Sequence, residues 1–157
     1  MTLKVAQFVN ILLLVLVVGV FWGPWLGLSR SIGSFSAQTF LDIGHTMIGN
    51  LAPVMPALMI TAILSTVPVL YLLHAQRATT FYPALLGLLL FVTAMLITVL
   101  VEVPIDNQIR EWTVNSLPAN WQQVRDRWEF FHGIRTFASL CGLGFIVASA
   151  LFSKTPS

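Results

Sequence analysis

The stretch VEVPIDNQIREWTVNSLPANWQQVRDRWEFFHGIRT, residues 101–136, contains nine of the chain's fourteen charged residues and three of its five tryptophans. The charges are Glu102, Asp106, Arg110, Glu111, Arg125, Asp126, Arg127, Glu129 and Arg135. Apolar sequence precedes and follows the stretch, so its polar groups must be solvated at a membrane surface or line a site, and both are expected. With 57% hydrophobic and 9% charged residues and a mean hydropathy of +0.85, the 157-residue chain is too apolar for an ordinary soluble domain. It reads as an all-α integral membrane protein. No linker, charge block or repeat divides it, so residues 1–157 are expected to form a single membrane-embedded domain. The net charge of +2 is small and bases alternate with acids, which argues against nucleic acid as a partner.

Outward from this stretch the chain offers four spans, each near the ~20 apolar residues that a bilayer requires. The first extends from Val5 to about Leu28. It is too long for the apolar part of a signal peptide and lacks a small-residue cleavage site. Trp22 and Trp25, flanking Pro24, suit an interfacial belt. Residues 30–50 form a connection whose serines and glycines mark a turn, followed by a short helix over 35–45 on which Asp42 and His45 share a face. The second span, about 51–73, contains Pro53, Pro56 and Pro68, with Thr61, Ser65 and Thr66 placed to satisfy freed carbonyls. A turn at His74, Gln76 and Arg77 leads to the third span, about 82–103, which Pro104 is expected to stop. The fourth covers about 130–152 and ends at Lys154, with Gly142 and Gly144 permitting close helix approach. Cys141 is expected in the core.

Four spans predict an up-down four-helix bundle with both termini on one side and an extended polar connection, about 104–130, between helices 3 and 4. The arginines on that side, Arg30, Arg110, Arg125, Arg127 and Arg135, outnumber Lys4, Arg77 and Lys154, which places the polar connection in the cytoplasm.

No further proline occurs between Pro118 and Phe152, so the fourth helix is expected to begin well before the bilayer. At about 100° per residue, Trp121, Trp128, His132, Arg135, Ser139 and Gly142 share one sector, with Arg125 at its edge, whereas Asp126, Arg127 and Glu129 point elsewhere. Glu102 lies near the end of the preceding span. Ionisable groups at that depth are costly unless paired or facing a polar cavity. The structural reading is a Glu102–Arg135 ion pair joining two helices, with Trp112 and Trp121 as interfacial anchors; pairing and catalysis are compatible.

The segments EVPIDNQI at 102–109 and W-x3-H-x2-R-T at 128–136 resemble those of the anthrone-oxygenase-like membrane proteins. The resemblance implies a flat, hydrophobic polycyclic phenol as substrate and insertion of one oxygen atom from O2 at an activated methylene, making a quinone. The substrate's own carbanion can reduce O2, so cofactor-free chemistry is favoured. His132 would be the base, Arg135 and Asn107 would stabilise the oxyanion, Glu102 would orient His132 or Arg135, and Trp128, helped by Trp112 and Trp121, would stack on the rings. An alternative places iron or copper among His45, Glu102 and His132. A non-enzymatic reading is a helix bundle that binds a quinone, a lipid or a partner subunit, and a homo-oligomer is compatible with either.

Overall fold

The computed structural model describes residues 2–153. Helices α1 (Leu3–Pro24), α2 (Ala37–Leu51), α3 (Met55–Leu64), α4 (Thr66–Ala75), α5 (Phe81–Ile97), α6 (Val103–Glu111) and α7 (Trp121–Phe152) follow one another, with no strand among the described residues. Joined across their internal irregularities, they give four stretches long and apolar enough to cross a membrane: Leu3–Ser29, Met55–Ala75, Phe81–Glu111 and Trp121–Phe152. The fold is the expected all-α, four-span arrangement. Outward side chains such as Leu12, Leu16, Leu89 and Leu96 are exposed, as suits contact with lipid.

Two ladder irregularities place the site. Pro104 does not end the third span, contrary to expectation. The preceding turn, Thr98–Glu102, is π-helical, and the Val103 N–H reaches back to the Thr98 carbonyl. Pro104 then sits at the start of α6, where a missing N–H costs least, and the chain stays helical to Glu111. A second π turn, Trp25–Ser29, extends α1 beyond Pro24. The non-helical part of the polar connection therefore shrinks to about 112–120, itself holding a short 3-10 turn at Val114–Ser116. At 1.5 Å per residue, α7 is about 48 Å long, longer than a hydrocarbon core of ~30 Å, so part of it lies beyond the apolar layer. Its start, α6 and α2 form a layer at one end.

The second span starts later than expected. Helix α2 runs through Leu51, the chain breaks over 52–54 at Pro53, and Pro56 begins α3. A further break at Ser65 puts Pro68 in the first turn of α4. Ser65 donates to the Ala62 carbonyl at 2.7 Å, whereas the carbonyl that Pro68 frees, four residues back, is that of Leu64. Asp42 and His45 do not pair, because each finds a nearer partner: the Gln38 amide donates to Asp42 at 2.8 Å, and His45 bonds the Ile109 carbonyl at 2.8 Å. Lys154, the expected end of the last span, lies outside the described residues.

The main core joins α1, α3, α4, α5 and α7 through Leu14, Val17, Met59, Leu73, Phe91 and Ile146. A second apolar cluster under α2 gathers Ile32, Phe40, Leu41, Ile105 and Ile109, with Trp112, Trp121 and Trp128 against it. Helices α5 and α7 meet at Gly87 and Gly142, where an added Cβ at Gly87 would lie 2.8 Å from the Gly142 carbonyl oxygen. Gly144 plays no such part, since a Cβ there meets nothing within 4 Å. Cys141 is exposed rather than in the core, one residue away from the buried Gly142 on the helix. Gly87→Ala is expected to destabilise the protein by about 1–3 kcal/mol through overpacking, with Gly144→Ala near neutral. Thermal unfolding of the detergent-solubilised variants checks this, and equal midpoints would refute the close contact.

Candidate functional site

The inward face of α7 carries the buried His132, Arg135, Ser139 and Gly142 of the predicted sector, together with Thr136. Glu102 closes the π turn that ends the third apolar run, and it is fully buried. Arg135 Nη2 stands 2.9 Å from Glu102 Oε2, which makes the expected interhelical ion pair. Glu102 Oε1 has no partner among the described residues, so the carboxylate depends on this one contact.

The guanidinium is shared more widely. Arg135 Nη1 donates to Thr98 Oγ1 at 3.1 Å, Nε donates to His132 Nδ1 at 3.2 Å, and Nη2 lies 2.9 Å from the same nitrogen. Its carbon sits 4.5 Å from the Phe21 ring centroid, a cation–π contact from α1. An arginine can only donate, so His132 Nδ1 is the acceptor. That assigns the proton to Nε2, which donates to the Phe21 carbonyl at 3.2 Å. Both imidazole nitrogens are thus engaged by the protein. The ring also stacks on Trp128, with centroids 4.8 Å apart and planes 5° from parallel.

Beside this network lies an apolar cleft of about 490 Å³ including its open mouth, walled by the end of α1 and its π turn, α2, α6 and α7. Phe35, Phe40, Met47, Ile109 and Trp128 contribute to its lining, and Asp106 is the ionisable side chain that reaches it. Asp106 Oδ1 accepts a hydrogen bond from Trp128 Nε1 at 3.1 Å. Trp128 is therefore the partition, lining the cleft, bonding Asp106 and resting on His132.

The predicted residues divide accordingly. Glu102, His132 and Arg135 come together, with Trp128 against them. Asn107 is exposed on the other side of α6. Trp112 and Trp121 pack in the second apolar cluster, Trp121 beside Phe40 and under Arg125, rather than lining the cleft. His132 Nδ1 is 4.0 Å from Glu102 Oε2, but His45 is committed to Ile109, and among the described residues no three His, Cys, Asp or Glu side chains gather in a metal-holding group. Sequence reasoning passed over Asp106. Its signal was the four-residue step from Glu102, one helical turn, which ending the helix at Pro104 concealed.

A buried charge left without its partner costs about 3–5 kcal/mol. Glu102→Ala strands Arg135 in the bundle and is expected to lower stability by that order, and Glu102→Gln by less because the amide can accept from the guanidinium. Thermal unfolding with an Arg135→Met, Glu102→Leu double variant tests this. A double variant as unstable as Glu102→Ala would show that the cost is packing rather than an unpaired charge.

A comparison with protein families matches residues 45–145 to the family described as anthrone oxygenase, a stretch that holds α2 from His45, the network and most of α7. Searches of curated proteins and of solved structures found no match. Residues 45–145 are well over half of the chain and carry the ion-paired core and the α6–α7 wall of the cleft, so the protein belongs to the anthrone oxygenase family.

Proposed function

We propose that the protein is a membrane oxygenase that takes a flat, hydrophobic polycyclic phenol into the α1–α2–α6–α7 cleft and converts an activated ring methylene to a carbonyl with O2. The observation that carries this reading is the joining of an aromatic-walled apolar cleft to a buried cation through Trp128, which with Asp106 and Arg135 lies in the family-matched segment. Apolar walls with few, placed polar groups suit such a ligand. The balance is simple: the methylene loses two hydrogens, one oxygen atom becomes the carbonyl and the other leaves as water. The substrate is oxidised by four electrons and O2 is reduced by four. The substrate supplies all four, two from its delocalised carbanion and two from the second C–H bond, so the balance calls for no other reductant.

In this reading Trp128 stacks on the rings, and Arg135 provides a preorganised positive charge behind it for the developing oxyanion. Glu102 and His132 hold the guanidinium in place. Full-length protein in detergent, given 1,8-dihydroxyanthrone and O2, is expected to form the corresponding quinone with one O2 consumed per turnover. Arg135→Gln should slow this, and because the change also leaves buried Glu102 without its cation, the rate is compared per folded protein as judged by thermal unfolding. Dialysis against a chelator should leave the rate unchanged; a loss restored by added iron or copper would instead put a metal in the mechanism.

A second reading, a non-catalytic quinone-binding bundle, draws on the closure of the network, in which His132 has no free nitrogen. Quinone binding without anthrone turnover would select it. For topology, Arg30, Arg110, Arg125 and Arg127 lie at the cleft end and Lys4 and Arg77 at the other, so the cleft opens on the cytoplasmic side. Cysteine introduced at exposed Asn115 in a Cys141→Ser background should react with a membrane-impermeant maleimide only after cells are opened, and labelling of intact cells would reverse the orientation.

A further inference from the structure

Proton transfer in the cleft needs an acceptor that reaches it. His132 does not line the cleft, and its two nitrogens are taken by Arg135 and the Phe21 carbonyl. Asp106 does line it. One carboxylate oxygen, Oδ1, is held by the Trp128 indole, and Oδ2 has no hydrogen-bond partner among the described residues. The charges around it are Glu102 and Arg110, one turn away on either side along its own helical run, with Arg135 and His132 on α7 and His45 on α2. Trp128 ties Asp106 to the buried network, because the same indole that fixes Oδ1 rests flat on the His132 ring.

We infer that Asp106 is the catalytic base of the oxygenation, with Trp128 and His132 as its positioning residues. The inference rests on the function proposed above. The Asp106 carboxylate takes one methylene proton, and the electron pair left on carbon delocalises into the rings. Electron transfer to O2 and radical recombination form the carbon–oxygen bond of a peroxide, which receives that proton from the carboxylic acid. Asp106 then removes the second proton from the same carbon. The C–H pair becomes the second bond of the carbonyl, the O–O bond breaks and hydroxide leaves, taking the proton from Asp106 to give water. The carboxylate is restored and no other oxidant or reductant is used. The geometry also supplies the order of parts: the stacking indole is the group that orients the base, so ring binding and proton abstraction share one wall.

The test compares wild type, Asp106→Asn, Asp106→Glu and Trp128→Phe, all full-length in detergent. Turnover of 1,8-dihydroxyanthrone is measured across pH, and binding of 1,8-dihydroxyanthraquinone is read by tryptophan fluorescence quenching. In wild type the rate should fall toward acid as the carboxylate is protonated. Asp106→Asn should bind the quinone as wild type does, lose about 10²–10⁴-fold in kcat, and show no acid limb. Asp106→Glu should recover part of the rate and the limb, and Trp128→Phe should keep the limb at a reduced rate. An Asp106→Asn protein within twofold of wild type with an unchanged pH profile overturns the assignment. So does one that loses quinone binding along with turnover, since Asp106 would then be only a support for Trp128. A wild-type protein that binds the quinone and turns nothing over, or does neither, overturns this inference together with the oxygenase reading.

Discussion

A buried carboxylate paired with a buried guanidinium inside an apolar bundle is the constraint around which this protein is arranged. Glu102 has only the Arg135 charge to offset its desolvation. In low dielectric that pairing is strong, but it holds only while both partners stay in register. The surroundings keep them so. Thr98 and His132 hold the guanidinium, Phe21 covers it, and the glycine contact between α5 and α7, two turns along α7, keeps the two helices close. Helix α1 is drawn in by the same chemistry, since its Phe21 carbonyl completes the hydrogen bonding of His132.

The π turns follow from the same requirement. At the end of the third run the wider turn lets the helix pass Pro104 while carrying Glu102 inward, and Ile105 and Ile109 remain buried one and two turns later. At the end of α1 the second π turn lies beside the cleft, where Pro24, Leu28 and Ser29 form part of the wall. Helix α2 then lies over the end of the bundle. Ser36 caps it through the Thr39 N–H, and His45 fastens it to the Ile109 carbonyl. The cleft is the space left between α2 and a bundle whose inner charges are already neutralised. Trp128 stands at the boundary because an indole has both a face for stacking and an N–H for Asp106.

The other end of the bundle is polar in a different way. Asn10 donates to Ser65 Oγ and Thr66 Oγ1 at 2.8 and 2.9 Å, and Gln7 reaches Ser153 at 3.3 Å. Lys4 donates to Ser153 and to the Ala150 carbonyl, bringing the first and last helices together. These are neutral amides and hydroxyls with one peripheral cation. They fasten helices whose ladder is broken at Ser65. The charged buried groups belong to the opposite end, where the apolar cleft also lies, and that asymmetry separates fastening from chemistry.

Much of this was legible in the chain itself. Composition and run length determine four apolar helices, because a bilayer accepts few other solutions for so oily a sequence. The helical period of α7 determines that Trp128, His132 and Arg135 share a face, and the cost of lone charges in an apolar interior predicts the Glu102–Arg135 pair. Only the tertiary structure decided which groups meet the cleft. Proline's local preference pointed to an end at Pro104, whereas packing and a π turn carried the helix through, bringing Asp106 to the wall and leaving Asn107 exposed. Trp112 and Trp121 went to an apolar cluster, and His45 to a backbone carbonyl, for the same reason. Sequence period records which residues share a side of one helix. The partner that a side finds depends on contacts between segments far apart in the chain, and those form only when the helices pack.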